Sequence, residues 1–177
     1  MILFLGNKNN SVYHYLRSKY LVKATENKIT PEYISKFDRV ISYGYRHILT
    51  KSHIDKANHP IINLHISYLP WNKGADPNYW SWVENTPKGV TIHYIDEGID
   101  TGDILIQTKV KMGSEETLAS SYAKLKNIIE NLFIENYEKI ILGDIKPFKQ
   151  PPGGSIHYKK NSPNISSWDI KTKNLIR

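Results

Sequence analysis

Short apolar runs alternate with amphipathic stretches through the first half of the chain. This pattern predicts βα units stacked around a mostly parallel sheet. Ile2–Leu5 reads as a first buried strand, followed by a polar loop at 7–11 and a helix over Val12–Lys19. Leu21–Ala24 reads as a second, short strand. Thr30-Pro31-Glu32 is a helix start, with a capping hydroxyl, a proline at the first helical position and an acid beside the positive helix end. Val40–Tyr43 is a third strand ending at Gly44, a helix covers about Lys51–Ala57, and Pro60–Leu64 is a fourth strand.

The middle changes character. Residues 68–76 form a Pro/Gly/Asn loop, and Pro77–Glu84 is an aromatic-rich helix. Val90–Ile95 alternates apolar and polar positions, the acidic turn Asp96–Gly102 follows, and Ile104–Met112 is a further strand facing it across that turn. From Ser114, read as an N-cap, a long helix runs to about Leu142. Leu118, Tyr122, Leu125, Ile129 and Leu132 step by 4, 3, 4 and 3 and give it one buried face, and Gly143 ends it. Residues 147–177 are rich in Pro, Gly, Ser, Asn and Lys and predict a turn plus a poorly ordered tail. The expected class is α/β, with flanking helices and a long C-terminal helix. One domain spans residues 1–160, and a short polar tail spans 161–177.

The 177 residues suit a single core. With no cysteine there is no disulfide, thiolate metal site or thiol nucleophile. No apolar run reaches the roughly 18 residues of a membrane span, so a cytoplasmic protein without membrane contact is expected. The formal charge of +7 comes from 24 Lys+Arg against 17 Asp+Glu. The arginines are only Arg17, Arg39, Arg46 and Arg177, and the lysines are dispersed. The bidentate forks that read bases are therefore scarce, and no nucleic-acid partner is expected.

Asn63 and His65 lie two apart where a buried strand runs out, so they share one face of it. Ligands of open α/β sheets bind at such carboxyl ends. An amide and an imidazole side by side can donate to an oxygen that gains negative charge. The turn 95–103 carries four carboxylates and two glycines. One of Asp96, Asp100 and Asp103 near His65 would hold its tautomer, and spacing does not choose among them.

Asn63, His65, Ser67, Leu69-Pro70 and Lys73-Gly74, then Gly89-Val90-Thr91 with His93, then Asp100-Thr101-Gly102, together resemble the signature of the formyltetrahydrofolate-dependent formyltransferases. The pattern spans residues 63–102 in register. Lys73–Ser81 and Thr86–Val90, with Tyr43–Leu49, look like the subgroup that formylates nucleotide-linked amino sugars. The likeness is greatest to enzymes acting on dTDP-4-amino-4,6-dideoxyglucose. The resemblance implies a Rossmann-like formyltransferase fold and catalysis by Asn63, His65 and Asp100, with Asn63 and His65 stabilising the oxyanion and Asp100 helping to remove the amine proton. It implies N10-formyltetrahydrofolate as co-substrate, held largely by backbone at His47, Ile48 and Leu49 and at Asp96, Gly98 and Ile99, with Leu49 and Ile99 as apolar walls. It further implies acceptor contacts at Arg46, Lys73, Asp76, Asn78 and Trp80, a role in O-antigen or other surface-glycan synthesis, and a homodimer as an open assembly.

No metal is expected. His93, on the strand leading into the acidic turn, reads as support for the site, and the aromatic positions Tyr79 and Trp82 read as core. Residues 150–159 resemble a turn near the active site of sugar formyltransferases. Relatives continue further, in the tRNA enzymes into a β-barrel, whereas only 162–177 follow here, an expectation against tRNA as acceptor. Formylation of another small amine, or a non-catalytic folate- or nucleic-acid-binding module, are the competing readings.

Overall fold

In the computed structural model, which describes residues 1–165 and 167–176, the apolar runs form a six-stranded sheet. Its strands are β1 (Ile2–Gly6), β2 (Val22–Thr25), β3 (Arg39–Tyr43), β4 (Ile62–His65), β6 (Gly89–Tyr94) and β7 (Ile104–Lys109), in the order β2-β1-β3-β4-β6-β7. β1 to β4 run parallel, and β6 and β7 are antiparallel additions at one side. Between β4 and β6 lie the two-residue β5 (Lys73–Gly74) and helix α4 (Pro77–Val83). Near the C-terminus β8 (Ile156–His157) pairs with β5. β1 is buried along its whole length, as a parallel strand covered on both faces must be.

Helices α1 (Ser11–Lys19) and α5 (Leu118–Leu142) cover one face of the sheet, α2 (Pro31–Ile34) and α3 (Lys51–Lys56) the other. Asn10 caps α1 by accepting from the Tyr13 N–H at 2.8 Å, and Thr30 caps α2 ahead of Pro31, as its sequence predicts. Gly143, at φ 77°, ends α5 in the left-handed conformation that its missing Cβ allows.

Two expectations about α5 are corrected. Its N-cap is Thr117, whose side chain and that of Ser120 bond reciprocally to each other's backbone, so Ser114–Glu116 lie outside the helix. Its buried face runs through Leu118, Leu125, Ile129, Phe133, Tyr137 and Ile140, while Tyr122 is exposed and Leu132 only half-buried. Steps of four dominate because the largest rings, Phe133 and Tyr137, lie in that row and fill the gap over the sheet. The tail is also more structured than its composition predicts. The Leu118 and Ala119 N–H groups, orphaned at a helix start, donate to the carbonyls of Ile170 and Trp168, and Thr172 is buried with its N–H on the Glu116 carbonyl. Ser166 and Arg177 lie outside the described residues.

Candidate active site

β4 ends at the carboxyl edge of the parallel strands, with Asn63 and His65 on one face. Its antiparallel neighbour places His93 directly opposite Asn63, and a register irregularity between Ile92 and His93 follows. Asn63 Nδ2 lies 3.1 Å from His93 Nε2 and donates to Asp100 Oδ1 at 3.3 Å. The Asn63 amide, His93 Nε2 and Asp100 Oδ1 thus meet at one point. His93 Nδ1 faces the Tyr94 carbonyl at 2.8 Å, and its Nε2 is 3.5 Å from Asp100 Oδ1. His93 is 1% exposed, and it supports the site from behind.

His65 Nδ1 is 3.5 Å from Asp100 Oδ2, and its Nε2 is 3.0 Å from the Asn72 carbonyl. Each ring nitrogen therefore faces an oxygen. Asp100 Oδ2 also accepts the Gly74 N–H at 2.8 Å. Of the three aspartates left open by spacing, Asp100 is thus the one that meets His65. Asp96 accepts from Gly98 N and Thr101 Oγ1 within its own turn, and Asp103 pairs with Lys149 at 2.9 Å.

Burial alone would push the Asp100 carboxyl up. The charge of His65, the hydrogen bond and charge of His93 and the Gly74 N–H outweigh it and hold that carboxyl well below the usual carboxylate range. A carboxylate with a depressed folded pKa stabilises the fold above its unfolded value, near 4, and loses that contribution as pH falls through the folded one. Urea midpoints measured from pH 5 down to pH 2.5 are expected to fall more steeply for the natural chain than for Asp100→Asn. Parallel curves would show that Asp100 is not held in this way.

The loop that follows β4 is fastened tightly. Thr91 Oγ1 donates to the Ser67 carbonyl at 2.7 Å and accepts the Leu69 N–H at 3.2 Å. Asn72, fully buried at φ 55°, donates from its amide to Thr86 Oγ1 at 2.8 Å, and its N–H bonds Ser155 Oγ at 3.0 Å. Gly74 has φ 86°, and a Cβ there would stand 2.2 Å from the His157 carbonyl, so only glycine lets β5 bring its N–H to Asp100. Asn72 escapes sequence reasoning, and Ser155 enters it only as part of the turn 150–159. The one signal for Asn72 is that asparagine tolerates the left-handed region better than most residues.

The two loops expected to hold a pterin ring come together. Lys51, at the start of α3, pairs with Glu97 at 2.8 Å, and Leu49 and Ile95 share one core cluster. The backbone groups of His47, Ile48 and Leu49 make no hydrogen bond among the described residues, so their donors and acceptors are available to a flat polar ring. Of the residues expected as apolar walls, Leu49 is mostly buried against the core and Ile99 packs over Gly74, while Ile48 is the exposed apolar residue of the first loop. A cavity of about 470 Å³ opens further along the same sheet edge, beside the ends of β1 and β2, and is lined by Gly6–Asn9 and Ala24–Asn27.

The expected acceptor contacts divide. Asn78 is 4% exposed and donates to the Leu118 carbonyl and Ser121 Oγ while accepting from that hydroxyl. It therefore ties α4 to α5, and both of its amide hydrogens, which an acceptor contact would need, are taken within the fold. Arg46 is exposed and Lys73 is half-buried. Trp80 stacks on His157 with ring centroids 4.2 Å apart, and its Nε1 is buried without a partner, as is Asp76 Oδ2 four residues earlier. Trp82 is buried beside Ser121, as core. Among the described residues no group of three or more His, Asp or Glu is arranged to hold a metal ion, and no helix is long and apolar enough to cross a membrane.

The family model described as formyl transferase matches residues 12–136. Methionyl-tRNA formyltransferase of Lachnospira eligens is 34% identical over 134 residues, which are 75% of this chain and 42% of that protein. The dTDP-4-amino-4,6-dideoxyglucose formyltransferase of Mycobacterium bovis is 27% identical over 142 residues, 80% of this chain and 60% of that one. The chain thus spans less than two thirds of these curated relatives. Among solved structures, the formyltransferase PseJ from Anoxybacillus kamchatkensis, crystallised with UDP-4,6-dideoxy-4-formamido-L-AltNAc and tetrahydrofolate, is 42% identical. It aligns with a TM-score of 0.92 over 99% of this chain and 97% of that one.

Proposed function

The chain belongs to the formyl transferase family, and from that premise we propose that it is an N-formyltransferase acting on a nucleotide-linked amino sugar. The observation that carries this reading is the meeting of Asn63, His65 and Asp100 at the carboxyl end of β4. The near end-to-end likeness to an enzyme crystallised with a UDP-linked formamido sugar supports the acceptor class. A UDP-linked 4-amino-4,6-dideoxy sugar is accordingly the acceptor we favour, over the dTDP-linked sugar that the segment 73–90 resembles. With this reading go a cytoplasmic enzyme, a product destined for a surface glycan, a homodimer as the assembly to test, and no part for nucleic acid or membrane.

N10-formyltetrahydrofolate, when bound, supplies the formyl carbon; His47–Leu49 and Asp96–Ile99 would hold it through backbone groups. The residues of the chain account for the rest. Asn63 and His65 would donate N–H groups from one strand face to an oxygen gaining negative charge by exchanging contacts they now make to Asp100, and such donors act strongly because the strand fixes them in advance. Asp100 stays ionised at neutral pH, so it favours a cationic centre within about 4–6 Å such as the ammonium formed as the amine adds. As the amine bonds to the formyl carbon and the bond from that carbon to N10 breaks, the amine proton leaves with the help of Asp100, directly or through His65 or a water, and N10 of the departing tetrahydrofolate takes up a proton.

Purified protein, incubated with N10-formyltetrahydrofolate and in turn a UDP-linked 4-amino-4,6-dideoxy sugar, dTDP-4-amino-4,6-dideoxyglucose and methionyl-tRNA, is followed by mass spectrometry. A formyl adduct forming fastest on the UDP sugar is the expected result. An adduct on the dTDP sugar alone would retain the class and correct the nucleotide. Transfer to tRNA alone, or to nothing, would overturn the reading.

A further inference from the structure

The turn that carries Asp100 is held by a residue from the far end of the chain. Asp100 has φ 51°, in the left-handed region that aspartate and asparagine visit as single turn residues and that the neighbouring backbone must hold in place. Gln150 Nε2 donates to the Asp100 carbonyl at 2.8 Å and to the Gly102 carbonyl at 2.9 Å. These two bonds use both hydrogens of one amide nitrogen. Only this orientation works, since a flipped amide would set its oxygen against two carbonyl oxygens. Gln150 Oε1 is buried without a partner, so the donor end alone ties this side chain to the turn.

Gln150 is itself placed by backbone. Phe148, two residues before it, exchanges hydrogen bonds with Ile104 at 2.8 and 2.9 Å. On the other side Gly102 lies flat against Tyr94, where an added Cβ would stand 1.9 Å from the Tyr94 carbonyl oxygen. The turn is thus pinned between β6 and Gln150. Five residues further on, Ser155 fastens Asn72, whose carbonyl faces His65, and His157 pairs with Gly74, whose N–H meets Asp100. The segment 150–157 therefore touches both backbones that orient the site, and it lies outside the residues that the family model matches.

We infer that Gln150 is a positioning residue: by holding the carbonyls of Asp100 and Gly102 it fixes the backbone from which the Asp100 carboxylate reaches Gly74, His65 and His93. The inference rests on the formyl-transfer reading for its kinetic consequence, and on geometry alone for its effect on the two histidines.

Gln150→Met keeps the length and removes both donors, and Gln150→Glu keeps the shape while setting acceptors against the two carbonyls. Lys149→Ala serves as neighbour control, since that side chain is 89% exposed and pairs with Asp103. Measured on the whole chain, kcat is expected to fall at least about 10-fold in both Gln150 variants, with KM for sugar and folate within about 3-fold. The ¹⁵N imidazole signals of His65 and His93 should move toward those of Asp100→Asn, and Lys149→Ala should change neither readout. Natural imidazole signals with kcat within about 3-fold would overturn the inference, as would a rise in KM alone. Should Gln150→Met fail to fold, Gln150→Glu decides, and failure of both to fold would overturn it in favour of a purely structural role. If the natural protein transfers formyl to no acceptor, the functional reading falls while the imidazole signals still decide the role of Gln150.

Discussion

Asp100→Asn is expected to lower kcat for formyl transfer by about 100- to 10,000-fold, the range lost when a positioned proton acceptor is removed. The substitution keeps the volume and leaves one oxygen able to accept the Gly74 N–H. It removes the charge that faces His65 Nδ1 and His93 Nε2, each at 3.5 Å, and turns an amide donor toward groups that now face a carboxylate. Because Asp100 is mostly buried, no solvent ion replaces that charge at comparable distance. Asn63→Ala and His65→Ala should each cost at least about 100-fold, since each deletes one preorganised donor. Single-turnover rates at saturating folate and sugar measure these losses, and melting curves exclude unfolding as their cause. Rates within about 3-fold of the natural enzyme in all three variants would remove the site assigned to β4 and its neighbouring turn.

The largest stability effect is expected from Phe133→Ala, about 3–5 kcal/mol. Phe133 is fully buried where α5 crosses the sheet, and its ring centroid lies 5.0 Å from that of Tyr137. Deleting the ring removes its apolar burial and leaves a cavity. Ile129 and Tyr137 are backbone-fixed on the same helix and cannot collapse into it. A domain of this kind has about 5–15 kcal/mol in all, so the variant should sit near the threshold of folding. Urea unfolding should show a markedly lower midpoint with an unchanged slope. A loss below about 1 kcal/mol would mean that α5 does not carry the core as described. Leu132→Ala, on the half-buried row that the residue spacing favoured, should cost less.

Much of the fold is legible along the chain because its signals are local. Burial on both faces makes β1 a continuous apolar run and leaves Val40 and Ile41 as the apolar centre of β3, and Thr30-Pro31 and Gly143 mark helix ends by chemistry that needs no partner. The same holds for Asn63 and His65, since period-two alternation puts both on one face of β4. Legibility fails where the deciding neighbour is distant. Thr117 displaces Ser114 as N-cap because Ile170 and Trp168 return to meet the helix start. Asn78 looks like a polar residue free for a ligand until α5 is seen to occupy its amide. Among Asp96, Asp100 and Asp103, equal in type and close in sequence, spacing selects none; the family signature points to Asp100, and three-dimensional contact places it against His65.

By itself the sequence determined the α/β class, the strand end that carries the Asn–His pair and the family signature over residues 63–102. Each depends on residue type and short-range periodicity. Only the tertiary structure shows which atoms meet: Asp100, which the family signature already implies, on His65 and the Gly74 N–H, the Asn72 carbonyl behind His65, and Gln150 on the Asp100 turn from 50 residues away. Those assignments are pairings between segments far apart in sequence, set by the packing of the whole chain, and no local pattern encodes such a distance.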